Sequence, residues 1–267
     1  MPPHMDHALN DLKVLDLSRA LAGPSCTRML AEMGADVIKV EPAPGGEMSR
    51  RLSVQPSGRS LYYVQQNLGK KSVCVNLRDP RGLALVTELI PTVDVVVENF
   101  KPGVMADMGL GYDRLRELKK DIILCSISAL GQKGPLASKP GYDYIAQAYS
   151  GVTSMIGDPN DAPYIPLVGL GDVSTGVHAA LAIVSALRYR DRTGVSGLGT
   201  IKRSWGAIAS QLPATWRMTY VCPSLCPLFP SRHCCGRTQT RGIRRNCATP
   251  RATSQQSRTG DVWGDVV

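Results

Sequence analysis

The residue best placed to do chemistry is Asp172, in Gly169-Leu-Gly-Asp-Val-Ser-Thr-Gly176, where a glycine-rich turn runs into an apolar-periodic segment. Two roles suit it. As a helix N-cap, its carboxylate accepts from first-turn N–H groups, and Thr175 three positions on is compatible. As a nucleophile it uses the same geometry. The helix dipole favours the anion, Gly169 and Gly171 leave room for a carbonyl to approach, and an ionised carboxylate attacks an activated acyl group. His178, further along the same helix, reads as a packing or surface residue rather than a base. Cys26, Cys74 and Cys125 lie far apart within apolar runs, which predicts reduced core residues, not a disulfide framework or a metal knot.

The elements that must position these residues alternate along the chain. Leu12–Leu17, Asp36–Glu41, Ser72–Leu77, Val93–Glu98 and Asp121–Ile127 read as strands, the valine run at 93–98 fitting a sheet covered on both faces. Between them, helical spacing runs from about Pro24 to Met33, with Cys26, Met29, Leu30 and Met33 on one face and Gly34 placed to end it. Asp79-Pro80 is an N-cap with proline in the first turn, followed by a predicted buried stripe of Leu83, Leu85, Val86 and Leu89. A short helix spans Tyr112–Lys120 and another Tyr144–Tyr149. The last runs from the Asp172 turn to about Arg190, with Val177, Leu181, Val184 and Leu187 as its expected buried face. This alternation predicts an α/β fold, a Rossmann-like parallel sheet with crossover helices. The Gly/Pro-rich stretch from Ser128 to Gly171 is then a loop region over a ligand crevice at the carboxyl ends of the strands.

Composition divides the chain. The formal net charge is +9, and nearly all of it falls after Gly194. Residues 195–267 hold ten Lys and Arg against two acids, Asp261 and Asp265, and all three tryptophans. The expected organisation is an N-terminal extension over 1–11, an α/β body over 12–194 and a basic Cys/Arg/Ser-rich tail over 195–267. No run of 18–20 consecutive apolar residues and no signal pattern is visible, so a soluble cytoplasmic protein is expected.

A set of short blocks resembles the amino-terminal part of the class III CoA-transferases, the formyl-CoA transferase or carnitine CoA-transferase type. They are Leu12-Lys-Val-Leu-Asp-Leu-Ser18, Ala22-Gly-Pro-Ser-Cys-Thr27, Gly34-Ala-Asp-Val-Ile-Lys-Val-Glu41, Asn67-Leu-Gly-Lys-Lys-Ser72, Val97-Glu-Asn-Phe-Lys-Pro-Gly103, Met108-Gly-Leu-Gly-Tyr112, Gly131-Gln-Lys-Gly-Pro135, Gly141-Tyr-Asp143 and Gly171-Asp-Val-Ser-Thr-Gly176. Nine blocks in order make the resemblance specific. It implies that Asp172 is the catalytic aspartate, which takes an acyl group from an acyl-CoA as a mixed anhydride. It then carries CoA as an aspartyl thioester and passes it to a carboxylic acid, with coenzyme A as substrate and no permanently bound cofactor or metal.

The resemblance also implies that CoA is lined by Leu21 and Ala22, by Val75, Asn76, Leu77 and Arg78, by Glu98, Asn99, Phe100 and Lys101, and by Pro140, Gly141, Tyr142 and Asp143. Arg78 and Lys101 suit its phosphates, and Lys133 and Lys139 are further candidates. Leu68 stands where an arginine is common in the family, and Pro42 where some members place a basic residue. Racemases of the family carry histidine at the position of Tyr142, so transfer is preferred over α-methylacyl-CoA racemisation. A non-catalytic CoA-binding module is the other alternative. Family members are interlocked homodimers; membrane and nucleic-acid partners are not expected.

After Gly194 the resemblance stops. The tail has the composition of an out-of-frame reading of a GC-rich gene, and its charge and weak periodicity predict disorder. The expectation is a frameshifted or unrelated tail on a truncated body with little or no activity as written. Cys222, Cys226, Cys234, Cys235 and Cys247 with His233 lack zinc-finger spacing, and Arg241, Arg244, Arg245 and Arg251 accompany no recognised nucleic-acid motif.

Overall fold

Six parallel strands form one sheet in the order β3-β2-β1-β4-β5-β6. The computed structural model describes residues 7–158, 161, 162, 164, 169–194 and 198–202, all within a unit spanning Met1–Val221. The strands are β1 (Lys13–Asp16), β2 (Asp36–Pro42), β3 (Lys71–Val75), β4 (Val95–Glu98), β5 (Ile123–Ser128) and β6 (Leu198–Lys202). The helices are α1 (Ala22–Glu32), α2 (Leu61–Asn67), α3 (Pro80–Leu89), α4 (Val104–Asp107), α5 (Tyr112–Leu118), α6 (Asp143–Tyr149) and α7 (Leu170–Thr193). The order reverses between β1 and β4, the switch point outside which open α/β sheets hold their ligands.

The central strands β1, β4 and β5 read as apolar, β-branched runs because both faces are covered. Val14, Val95, Val97, Ile123 and Cys125 join Cys26, Leu30, Ile183 and Leu187 in one core. Their neighbours Leu15, Val96 and Leu124 join Val86, Ile90 and Leu115 in the other. Alternate residues of a strand thus enter opposite cores, the period of two expected of a pleated strand. Each fully buried Leu, Ile or Val contributes about 1.5–3 kcal/mol. Asp79 caps α3 by accepting from Arg81 N–H with Pro80 in the first turn, as its sequence predicts.

Four sequence expectations differ from the structure. Val177 and Leu181 of α7 are exposed, and the face turned inward is Thr175, Gly176, Ala179, Ala180, Ile183 and Leu187. Small residues win there because α1 packs very close: a Cβ on Gly176 would lie 2.7 Å from Ser25 Cβ and 3.0 Å from Ala22 O. Leu85 of α3 is exposed, leaving Val86 and Gly82 as that helix's buried residues. Cys74 is exposed because β3 is an edge strand. Finally, β6 lies beyond the boundary placed at Gly194 and pairs in register with β5 from Leu124↔Leu198 to Ser128↔Lys202. The zinc and arginine patterns considered for the tail lie outside the described residues.

Among the described residues, one helix, α7, is long and apolar enough to cross a membrane. Its packing against α1 and the sheet makes it a core helix here.

Candidate active site

The carboxyl ends of the strands meet at a cavity of about 400 Å³ lined by residues from four of them. Leu17 and Arg19 follow β1, Val40 to Ala43 end β2, Val75 to Arg78 end β3, and Phe100 follows β4, with Val104 and Met108 closing the side. Of the residues expected at CoA, the cavity gathers Val75, Asn76, Leu77, Arg78 and Phe100. It also gathers Arg19, which sequence reasoning missed although it stands in the turn after the first strand, where α/β sheets bind ligands. The Arg19 guanidinium stacks 5.2 Å from the Phe100 ring centroid. Pro42, where a basic side chain was absent, lines the wall, so the cations of the cavity are Arg19 and Arg78.

Other expected contacts lie around the cavity, not in it. Ala22 is buried in α1, Lys101 is exposed, and Asn99 turns to the backbone of Arg19, accepting from its N–H at 2.8 Å and donating to its carbonyl at 2.7 Å. Glu98 is buried beneath the loop, and its carboxylate accepts from Phe100 N–H at 2.7 Å. Burial pushes its carboxyl up to about 7 against the opposing Ser126 hydroxyl and Phe100 N–H. Tyr142, at the N-cap of α6, is 76% exposed, and Pro140 is exposed beside it. Lys133 and Lys139 are exposed.

The β1–α1 turn is held from below by buried charge. Asp16 at the end of β1 accepts from Thr27 Oγ1 at 2.6 Å and from Lys70 Nζ at 3.0 Å, with Lys39 Nζ 3.8 Å away. Burial opposes its charge, but Lys39, Lys70 and the Ser18 and Thr27 hydroxyls outweigh that and hold the carboxyl well below the usual range. Lys39 donates to Ser18 O at 2.9 Å and stands 3.5 Å from Glu47. Glu47 in turn accepts from Ala20 N–H at 3.1 Å. Ala20 adopts φ 64°, the left-handed region rare for a side-chain-bearing residue, so Asn99 and Glu47 clamp a strained turn from either side.

The same turn reaches the predicted nucleophile. Leu21 packs on Gly169, where a Cβ would lie 2.5 Å from Leu21 Cδ2. Gly169 is the N-cap of α7, so Asp172 is not the cap but sits inside the first turn, 8% exposed. Its backbone N–H donates to Asp143 Oδ1 at 2.7 Å, and the other Asp143 oxygen accepts from Gln147 Nε2. Asp143 was expected at CoA; its carboxylate serves the helix that carries Asp172. Tyr62 on α2, which sequence reasoning missed, shares this neighbourhood. Burial and the charges of Asp172, Glu47 and Asp143 raise its hydroxyl above the ordinary range. His178 is exposed and bonds through Nδ1 to Ser174 O at 2.7 Å, one turn back. Among the described residues no three His, Cys, Asp or Glu side chains gather at metal-binding distance.

Asp172 is not among the residues lining the cavity; a buried carboxylate on the first turn of a helix can receive an acyl group, and the two arginines of the cavity can hold the anionic end of a ligand.

A sequence profile described as CoA-transferase family III matches residues 9–212. The succinate–glutarate CoA-transferase of Agrobacterium fabrum is 43% identical over 199 residues, which cover 72% of this chain and 50% of that protein. The human succinyl-CoA:glutarate CoA-transferase is 42% identical over 187 residues, 70% of this chain and 43% of that protein. The crystal structure of a CAIB/BAIF family protein from Brucella suis superposes with a TM-score of 0.71 at 36% identity, over 74% of this chain and 54% of that one. The chain thus spans about half the length of the curated relatives it matches.

Proposed function

Because the chain belongs to CoA-transferase family III, we propose that it binds an acyl-CoA in the arginine-rimmed cavity and takes the acyl group onto Asp172. The observation that carries this reading is the placement of Asp172 on the first turn of α7, its backbone fixed by Asp143 and its helix start touching the turn that lines the cavity.

The sequence of steps conserves bond energy. A carboxylate oxygen of Asp172 attacks the thioester carbonyl, the C–S bond breaks, and CoA leaves as thiolate with the acyl group held as a mixed anhydride. The thiolate attacks the aspartyl carbonyl, the donor acid departs as carboxylate, and an aspartyl-CoA thioester remains. An acceptor carboxylate then attacks that thioester to form a second anhydride and release thiolate. Attack of the thiolate on the acceptor's carbonyl yields the new acyl-CoA and regenerates Asp172. The thiolate released in the first and third steps is the nucleophile of the second and fourth, and anhydride and thioester carry the activation of the acyl group forward, so the scheme needs no ATP and no metal. The relatives acting on succinate and glutarate support short dicarboxylic acids as the acyl classes.

We extend the reading to a homodimer. Val173, Val177 and Leu181 lie four residues apart on α7 and are 47%, 49% and 60% exposed, a continuous apolar row of the kind that marks an interface. Sedimentation equilibrium of the purified chain tests this, and a monomer at tens of micromolar would refute it.

The direct test of transfer is exchange of label from succinyl-CoA to glutarate by the purified chain. Exchange lost in Asp172→Ala supports the scheme; exchange that persists in that variant overturns it.

A further inference from the structure

The first turn of α7 is capped from a distance. The N–H groups of a helix's first turn have no partner within the helix, and the usual acceptor is the N-cap side chain. Here the N-cap is Gly169, which has none. The bond to the N–H of Asp172 comes instead from Asp143, twenty-nine residues earlier on α6, at 2.7 Å and in buried surroundings.

Three further features converge on this contact. Asp143 is 8% exposed, and its second oxygen is occupied by Gln147, which is 0% exposed, so the carboxylate has one orientation. A Cβ on Gly171 would lie 2.8 Å from Asp143 Oδ1 and 3.7 Å from Ala146 Cβ. The glycine before Asp172 is thus the space the Asp143 carboxylate fills, and the contact cannot form with a larger residue there. Burial raises the Tyr62 hydroxyl above its ordinary range, and the charges of Asp172 and Asp143 act in the same direction.

We propose that Asp143 is the positioning residue of the transfer reaction: it fixes the backbone of the nucleophile through the Asp172 N–H and sets an anion beside it. This rests on the reading of Asp172 as acyl acceptor. The anion serves the chemistry as well as the geometry. A neighbouring negative charge disfavours the ionised Asp172 side chain and leaves the uncharged anhydride and thioester unpenalised. The charge therefore favours the acylated states over the free carboxylate.

The test measures trapping of acylated Asp172 as its hydroxamate in the full chain, with succinyl-CoA as donor and hydroxylamine as trap, read by peptide mass spectrometry. Asp143→Ala should slow trapping by roughly 10- to 100-fold, the loss expected for a charge-assisted hydrogen bond, with succinyl-CoA affinity unchanged. Asp143→Asn should restore only part of the rate, since its oxygen still accepts from Asp172 N–H and Gln147 can turn its own amide to meet the new NH₂, while the charge is lost. Gly171→Ala, which displaces the carboxylate without removing it, should resemble Asp143→Ala. Wild-type trapping rates in folded Asp143→Ala and Gly171→Ala would overturn the proposal.

A second readout separates it from the reading it rests on. If the wild-type protein takes no label, the reading of this chain as an acyl acceptor fails, and the amide proton resonance of Asp172 then decides the contact. It should lie at low field in the wild type and move upfield in Asp143→Ala. An unchanged resonance would overturn the positioning role.

Discussion

Glu98 is the buried side chain whose charge state turns within the ordinary pH range. Its carboxyl is raised from 4.5 to about 7 by burial, so the folded chain binds this proton more tightly than the unfolded chain. The resulting stability is complete below about pH 4.5 and is lost as pH rises through 7. The shift is on the order of 3 kcal/mol. Urea unfolding between pH 5 and 8 should show this loss, and Glu98→Gln should flatten it, because glutamine still accepts from Phe100 N–H. An equal slope in the variant would show that another group titrates. Another buried acid of the strand ends behaves oppositely. Asp16 is kept ionised by Lys39 and Lys70, and its contribution is lost only as pH falls through its depressed pKa. Whether a buried acid is neutral or charged is decided here by which cations share its burial, and nothing in the strand sequence itself distinguishes the two.

At the scale of elements, the closest packing is between α1 and α7. Gly176→Ala would gain helix propensity of about 1 kcal/mol, but its Cβ would lie 2.7 Å from Ser25 Cβ and 3.0 Å from backbone at Ala22. Neither neighbour is the end of a flexible side chain, so the clash wins. The expected net loss is about 1–3 kcal/mol in chemical unfolding, and a stabilised variant would mean that the two helices part without cost. This junction also shows what sequence periodicity could and could not reveal. The strands were legible because both faces are apolar, and α3 because Asp79-Pro80 announces its start. The element α2 was missed because it reads inside out: Gln66 and Asn67 are buried while Leu61 and Val64 are 56% and 43% exposed. On α7 the apolar Val177 and Leu181 likewise face outward, while Val184 and Leu187 pack on the core as expected. The place of Asp172 at the start of a helix was legible from its glycines, whereas its contact with Asp143 was not, because two residues twenty-nine apart meet only once α6 and α7 have packed.

For the whole molecule, every residue lining the cavity falls between Leu17 and Met108. The nucleotide end of an acyl-CoA should therefore bind this chain, although the chain spans about half the length of its relatives. Isothermal titration with CoA should show one site. Arg19→Ala and Arg78→Ala should each weaken it by roughly tenfold or more, the worth of a charge-assisted contact, and the loss should shrink as salt screens the exposed charges. Binding indifferent to both arginines would place the phosphates elsewhere. The turn after β1 gives this arrangement a thermodynamic corollary. One flank of it, Arg19, borders the cavity, and the other, Leu21, rests against Gly169 at the foot of α7. On the proposed reading, a ligand that shifts this turn alters how readily Asp172 is acylated, and linkage runs both ways. By whatever factor an occupied cavity eases acylation, acylation must tighten the grip on the nucleotide by the same factor.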